Sequence, residues 1–174
     1  MAMALSVGPG IDRTEAGPTM GAIISEPQRD RAEAMCARAE TAGARLVTGG
    51  RKLNRPGAFL QPTVFDGVTP DMEIAQSEVF GPVLSVLSYK TDEEAVAIAN
   101  GTEFGLVAGV FTRDLDRAMR AAKKLRAGQV FVNEWFAGGV ETPFGGFGKS
   151  GYGREKGKDA LFNYVQTKNV AIKL

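Results

Sequence analysis

The chain has 174 residues, enough for a domain with a real core, and its 44% hydrophobic and 24% charged content are ordinary for a soluble protein. A net charge of +1 supplies no basic field for nucleic acid, and no apolar run approaches bilayer-spanning length. The first residues make a poor signal peptide and only one cysteine is present, so a cytoplasmic protein without membrane or nucleic-acid partners is expected.

The chemistry open to the chain is narrow. With no histidine, the Ser-His-Asp and Cys-His schemes and the commonest metal ligand are gone. Lone Cys36 builds neither a disulfide nor a thiolate zinc site, and no metal site is expected.

In chain order, residues 1–24 are rich in Gly and Pro and weakly periodic. They read either as the continuation of something upstream or as a disordered terminus. A helix is predicted next. Ser25 and Gln28 form a capping box, Pro27 suits the first turn, and Gly43 suits the residue after the end. Ala32, Met35, Cys36 and Ala39 share its apolar face, which makes Cys36 a small core residue. The stretch "ARLVTGG" reads as a short strand closed by a glycine turn. In "GAFLQPTVF", Pro62 predicts an edge strand or an irregular extended segment.

"PVLSVLSY" is a clearer strand, followed by a helix over "DEEAVAIAN" capped by Thr91 and Glu94. "GLVAGVFT" is a nearly all-apolar strand, the pattern expected when both faces are covered. Asp114 opens a helix with an apolar stripe of Leu115, Ala118, Met119, Ala122 and Leu125, ending at Gly128. "QVFVN" is a further strand, "KDALFNYV" a short helix and "KNVAIKL" a final strand. This alternation predicts an α/β fold, a largely parallel sheet with flanking helices, with no internal repeat.

The loop "GGFGKSGYGRE" contains G-x-G-x-x-G at Gly146, Gly148 and Gly151. A dinucleotide fingerprint should follow a strand directly and meet an acidic residue about 20 positions on. Here the preceding strand ends near Asn133, and position 166 is Gln. A P-loop needs Gly where this chain has Pro143. The loop is expected to be a tight connection whose glycines allow close packing and positive φ.

Two stretches carry a specific resemblance in their order and spacing. "EVFGPVLSV" (78–86) and "TPFGGFGKSGYGRE" (142–155) resemble C-terminal signatures of NAD(P)-dependent aldehyde dehydrogenases. The intervening "ANGTEFGLVAGVFTRD" and the closing "YVQTKNVAIKL" are similar too, so the resemblance covers nearly the whole chain.

In that family a cysteine thiolate captures the aldehyde, hydride passes to the nicotinamide, and a glutamate activates water to release the acid. The resemblance begins beyond the expected nucleophile, so the chain looks like the C-terminal third of the enzyme. It lacks the nucleophile, the general base and the Rossmann domain, and Cys36 does not stand in for the nucleophile. No catalytic residue is assigned, no activity is expected from the chain alone, and its binding of NAD or NADP should be weak or absent.

The resemblance implies residue roles. Glu78 corresponds to the glutamate that accepts the hydroxyls of the nicotinamide-side ribose. Phe80 resembles the phenylalanine beside the nicotinamide, or is ordinary core. Asn133, Trp135 and Phe136 line the aldehyde tunnel, with the two aromatics as apolar walls or else as a core or interface pair. Phe144 approaches the substrate mouth. Lys149, Arg154 and Glu155 read as structural ion-pair formers or as partners at a subunit contact.

The implied division is a partial catalytic domain over 1–165 and a terminal subunit-contact strand over 166–174, in a homo-oligomer acting on a small aldehyde. A second reading is a non-enzymatic module of the same descent that oligomerises or binds a partner through its exposed surfaces.

Overall fold

The computed structural model describes residues 20–135 and 138–174. The chain divides into two compact units, Met1–Ser88 and Tyr89–Leu174. The expected α/β class holds in both. Among the described residues, two of the three pairings between strands are parallel and one is antiparallel.

In the first unit, helix α1 (Glu26–Thr41) starts where the cap signal placed it: the Ser25 hydroxyl accepts from Gln28 N at 3.4 Å. It ends before Gly43, whose φ of 99° lies in the left-handed range. The predicted face is the buried one, with Ala32, Met35, Cys36 and Ala39 all shielded from solvent. Strands β1 (Arg45–Thr48), β2 (Thr63–Asp66) and β3 (Val83–Ser85) form a sheet in that spatial order. Strand β1 runs antiparallel to β2, with a register shift between Leu46 and Thr48, and β3 runs parallel to β2. The short helix α2 (Glu73–Gln76) lies in the connection between the two parallel strands. Cys36 and Ala39 from α1, Phe65 from β2 and Ile74 from α2 meet in one core, flanked by Leu46, Val79 and Val83.

The expectation for "GAFLQPTVF" is corrected here. Strand β2 is the central strand of its sheet, not an edge. Pro62 lies just before its first residue, so the missing N–H never falls within the ladder. Thr63 takes over at once: its N–H donates to Pro82 O at 2.8 Å, and its buried hydroxyl accepts from Gly50 N at 2.8 Å.

In the second unit, α3 (Asp92–Ala99) is capped by Thr91, and parallel strands β4 (Val107–Val110) and β5 (Gln129–Val132) are joined through α4 (Leu115–Lys124). Strand β4 is only half-buried within the unit, so the double coverage inferred from its apolar sequence is not met by these residues. The α4 stripe is also only partly covered: Ala118 is buried, whereas Leu115 and Met119 are exposed. The helix stops at Lys124 instead of running to Gly128. There the Asn100 amide donates to Lys124 O at 2.9 Å and accepts from Arg126 N at 2.8 Å, drawing the chain out of the helix.

The last predicted helix is a 3-10 helix over Lys158–Asn163. The predicted final strand is not formed: residues 165–174 are exposed and make no ladder. A strand needs a neighbour for its N–H and C=O groups, and this segment has none among the described residues.

Candidate functional site

Residues Glu78–Phe80 form a short irregular segment in the first unit that leads into a turn at Gly81 and Pro82. Val79 packs against the core, while Glu78 and Phe80 on either side of it are exposed. Phe80 is 67% exposed, so its ring is not core within this chain. Its φ of 52° lies in the left-handed range, unusual for a bulky residue and of the kind that concentrates at functional sites. The turn is fixed downstream by Val83 N donating to Gly81 O at 2.8 Å and by the Thr63–Pro82 bond. The Glu78 carboxylate takes no partner among the described residues, leaving both oxygens able to accept.

Sequence reasoning missed Gln28. The capping box assigned its side chain to the helix N-terminus. Its Nε2 instead donates to Val79 O at 2.8 Å and to Phe80 O at 3.3 Å. Nothing in the local pattern signals this, because the acceptors lie about 50 residues away.

The other candidates lie in the second unit. Asn133 follows β5 with φ 56°. Its amide is committed to backbone: Oδ1 accepts from Thr112 N and Nδ2 donates to Thr112 O, both at 2.8 Å. It thereby extends the β4–β5 pairing by one side chain. Trp135 is 53% exposed and packs across Gly109 of β4, with its ring 5.9 Å from that of Phe131. Phe136 lies outside the described residues. Phe144 is half-buried, exchanges two 2.7 Å backbone bonds with Glu155, and carries the Lys156 ammonium 5.5 Å from its ring centroid. A cleft of ≈ 230 Å³ opens between α3, α4 and β4, and none of the sequence-selected residues lines it. Its wall includes Arg117, which hydrogen-bonds Asp92 and holds that carboxyl below the usual carboxylate range.

The glycine loop is tied both to itself and to the segment before β4. Phe147 N donates to Gly105 O at 3.0 Å, Lys149 N to Glu103 O at 2.8 Å, Ser150 N to Phe147 O at 3.2 Å and Gly151 N to Gly148 O at 3.1 Å. Those amides are spent on carbonyls and do not form an anion nest. A methyl group placed on Gly128 would lie 1.5 Å from Gly145 O, so backbone meets backbone there. Lys149 pairs with Glu103 at 2.7 Å, as an ion-pair former should. Arg154 instead donates to Gly146 O at 3.0 Å and to Gly153 O at 2.8 Å, with its guanidinium over Phe147.

Cys36 is fully buried. Burial pushes its thiol up, against a smaller opposing pull from Arg51, which is the setting of an inert cysteine. Among the described residues no group of His, Cys, Asp and Glu could hold a metal ion. Nor is any helix there long and apolar enough to cross a membrane.

The sequence profile of the aldehyde dehydrogenase family matches residues 1–170. The chain belongs to the aldehyde dehydrogenase family. A betaine aldehyde dehydrogenase of Cereibacter sphaeroides is 48% identical over 153 residues, covering 88% of this chain and 32% of that protein. The aldehyde dehydrogenase of Mycobacterium tuberculosis, solved with NAD+, superposes with a TM-score of 0.87 at 41% identity, over 94% of this chain and 33% of the other. The indole-3-acetaldehyde dehydrogenase of P. syringae, solved with NAD+ and IAA, gives 0.85 at 46% identity, over 88% and 31%. The chain therefore spans about a third of the length of the relatives it matches.

Proposed function

We propose that this chain is part of an oxidoreductase that converts an aldehyde to a carboxylic acid, and that Glu78 and Phe80 are its contribution to a dinucleotide site. The observation that carries the reading is the turn itself, in which an anchored Val79 leaves an unpartnered carboxylate on one side and an exposed aromatic ring on the other. The Glu78 carboxylate accepts both hydroxyls of a ribose, and the Phe80 ring offers an apolar surface to a nicotinamide. NAD or NADP, when bound, supplies the hydride acceptor. Water supplies the oxygen of the acid, and covalent capture belongs to a cysteine outside this chain.

Trp135, with Phe136 and Phe144, supplies apolar wall to the aldehyde site. Asn133 acts there by orienting the segment, since both ends of its amide are bound to Thr112. Cys36, buried in α1, leaves this chain without a nucleophile of its own, so it is inactive alone.

The test is a titration of the chain with NAD followed by NMR at Glu78–Gly81. Binding weaker than millimolar is expected, confined to that turn and lost in Glu78→Gln. Micromolar affinity, or a response elsewhere, contradicts the assignment. With NAD and a panel of aldehydes the chain should form no NADH. A signal abolished by Cys36→Ala would overturn the inactivity.

A second reading concerns the C-terminal segment, the proposed subunit-contact strand. Phe162, Val165, Val170 and Ile172 are between 56% and 77% exposed. Pairing of 166–174 with a strand of another copy would cover that surface and satisfy its backbone. Sedimentation of the chain, with and without residues 166–174, distinguishes an oligomer built on this segment from a monomer.

A further inference from the structure

Gln28 stands at the third position of α1 and is half-buried. The Ser25 half of the capping box is made, but the Gln28 amide leaves the helix end and bridges two consecutive carbonyls, Val79 O and Phe80 O. Among the described residues no other side chain hydrogen-bonds either of them. The second carbonyl belongs to the residue with φ 52°. A residue with a Cβ pays sterically for that backbone. Gly81, next in the chain, faces Ala32 of the same helix, where an added methyl would sit 3.4 Å away. Helix α1 thus braces the turn on both sides of Phe80.

We propose that Gln28 is a positioning residue, whose carboxamide holds Phe80 in the left-handed conformation and so fixes the presentation of Glu78 and Phe80 to the dinucleotide. This rests on the reading of Glu78 and Phe80 as cofactor contacts. The side-chain chemistry fits the task. A primary amide has two N–H donors for two carbonyls. A carboxylate of the same size has none, and an alanine cannot reach.

The test is NMR on the whole chain, comparing the wild type with Gln28→Ala, Gln28→Glu and Gln28→Lys. In the wild type, Phe80 should show left-handed carbon shifts and a strong intraresidue amide-to-Hα contact. Gln28→Ala and Gln28→Glu should lower the left-handed population by about tenfold, the equivalent of the lost steric compensation. The α1 resonances of Cys36 and Ala39 should stay in place. Gln28→Lys keeps an N–H donor group and should restore the signature.

The NAD midpoint read at Glu78 should rise by the same factor, because only the competent fraction binds. A left-handed Phe80 in Gln28→Ala overturns the clamp. A lost signature with an unchanged NAD midpoint overturns the positioning role. A wild type that does not respond to NAD at Glu78–Gly81, with the signature still lost in Gln28→Ala, sinks the cofactor reading and leaves the clamp. Should Gln28→Ala unfold α1, Phe80→Gly gives a second route. Glycine adopts this backbone freely, so removing Gln28 should then lower the unfolding midpoint much less. An equal loss in both backgrounds refutes the coupling.

Discussion

Replacing Gly128 by alanine tests what the glycine loop is for. The new methyl would lie 1.5 Å from Gly145 O and 2.6 Å from its carbonyl carbon. Non-bonded atoms need about 3.5 Å, so the loop must retreat by about 2 Å. That displacement breaks three bonds tying it to the segment before β4: Phe147 N to Gly105 O, Lys149 N to Glu103 O, and Gly105 N to Ser150 Oγ. At about 1 kcal/mol net for each, less a fraction regained from a stiffer unfolded chain, the expected loss is about 2–3 kcal/mol. Trp135, the only tryptophan of the chain, lies in this unit and reports its unfolding by fluorescence. The urea midpoint should fall by about 1–2 M. Gly153→Ala, where the methyl meets open space, should change little. If Gly128→Ala leaves the midpoint unchanged, the close approach is wrong. If phosphate or pyrophosphate raises the wild-type midpoint, the loop is an anion site and the packing account fails.

Cys36 should be unreactive toward thiol reagents in the folded chain at neutral pH, and modification should follow unfolding. Because burial raises its pKa, the folded state holds the thiol proton more tightly. The stability it contributes is complete below the unfolded value, near pH 8.5, and is lost as pH rises through the folded one. An alkaline slope unchanged in Cys36→Ala would refute that cause. Asp92 has the opposite sign: the Arg117 bond lowers its pKa, so its contribution is present above the ordinary carboxylate value and is lost as pH falls through the lowered one. Asp92→Asn should flatten the acid limb of the Trp135-monitored stability profile. At Asn133, glycine keeps the backbone free to take φ 56° but loses both Thr112 bonds, and alanine adds the steric cost. Urea unfolding should rank Asn133→Ala below Asn133→Gly by about 1 kcal/mol.

What was legible in the sequence was local. Ser25, Thr91 and Asp114 cap their helices by accepting from the backbone N–H three residues ahead, and all three bonds are present. The buried face of α1 was read from its period, and the glycine loop was excluded as a phosphate cradle from its misplaced context. The failures involve distant partners. The end of α4 depends on Asn100, across 24 residues, and the final strand lacks a neighbour among the described residues. Pro62 misled because a rule about strand interiors was applied to a residue just outside one. Of the proposed site, the motif pointed to Glu78 and Phe80, while nothing in it signalled the hydrogen bonds from Gln28 to Val79 O and Phe80 O.

Three carboxamides share one task in this chain. Gln28 bridges Val79 and Phe80, Asn100 bridges Lys124 and Arg126, and Asn133 pairs with both backbone groups of Thr112. An amide side chain carries the donor and acceptor of a peptide group without its chain direction. It can therefore continue a hydrogen-bond pattern where the backbone must leave helix or strand geometry, and two of these places contain a non-glycine residue at positive φ, Phe80 and Asn133. Both are positions that the family resemblance marks for the site. An abrupt backbone reversal can present a side chain outward from a packed element, but it strands polar groups and strains the chain. The carboxamide answers the first cost directly and helps to hold the second. On the proposed reading of the site, Gln28 and Asn133, rather than the glycines, are therefore the residues whose loss should disturb how it is presented.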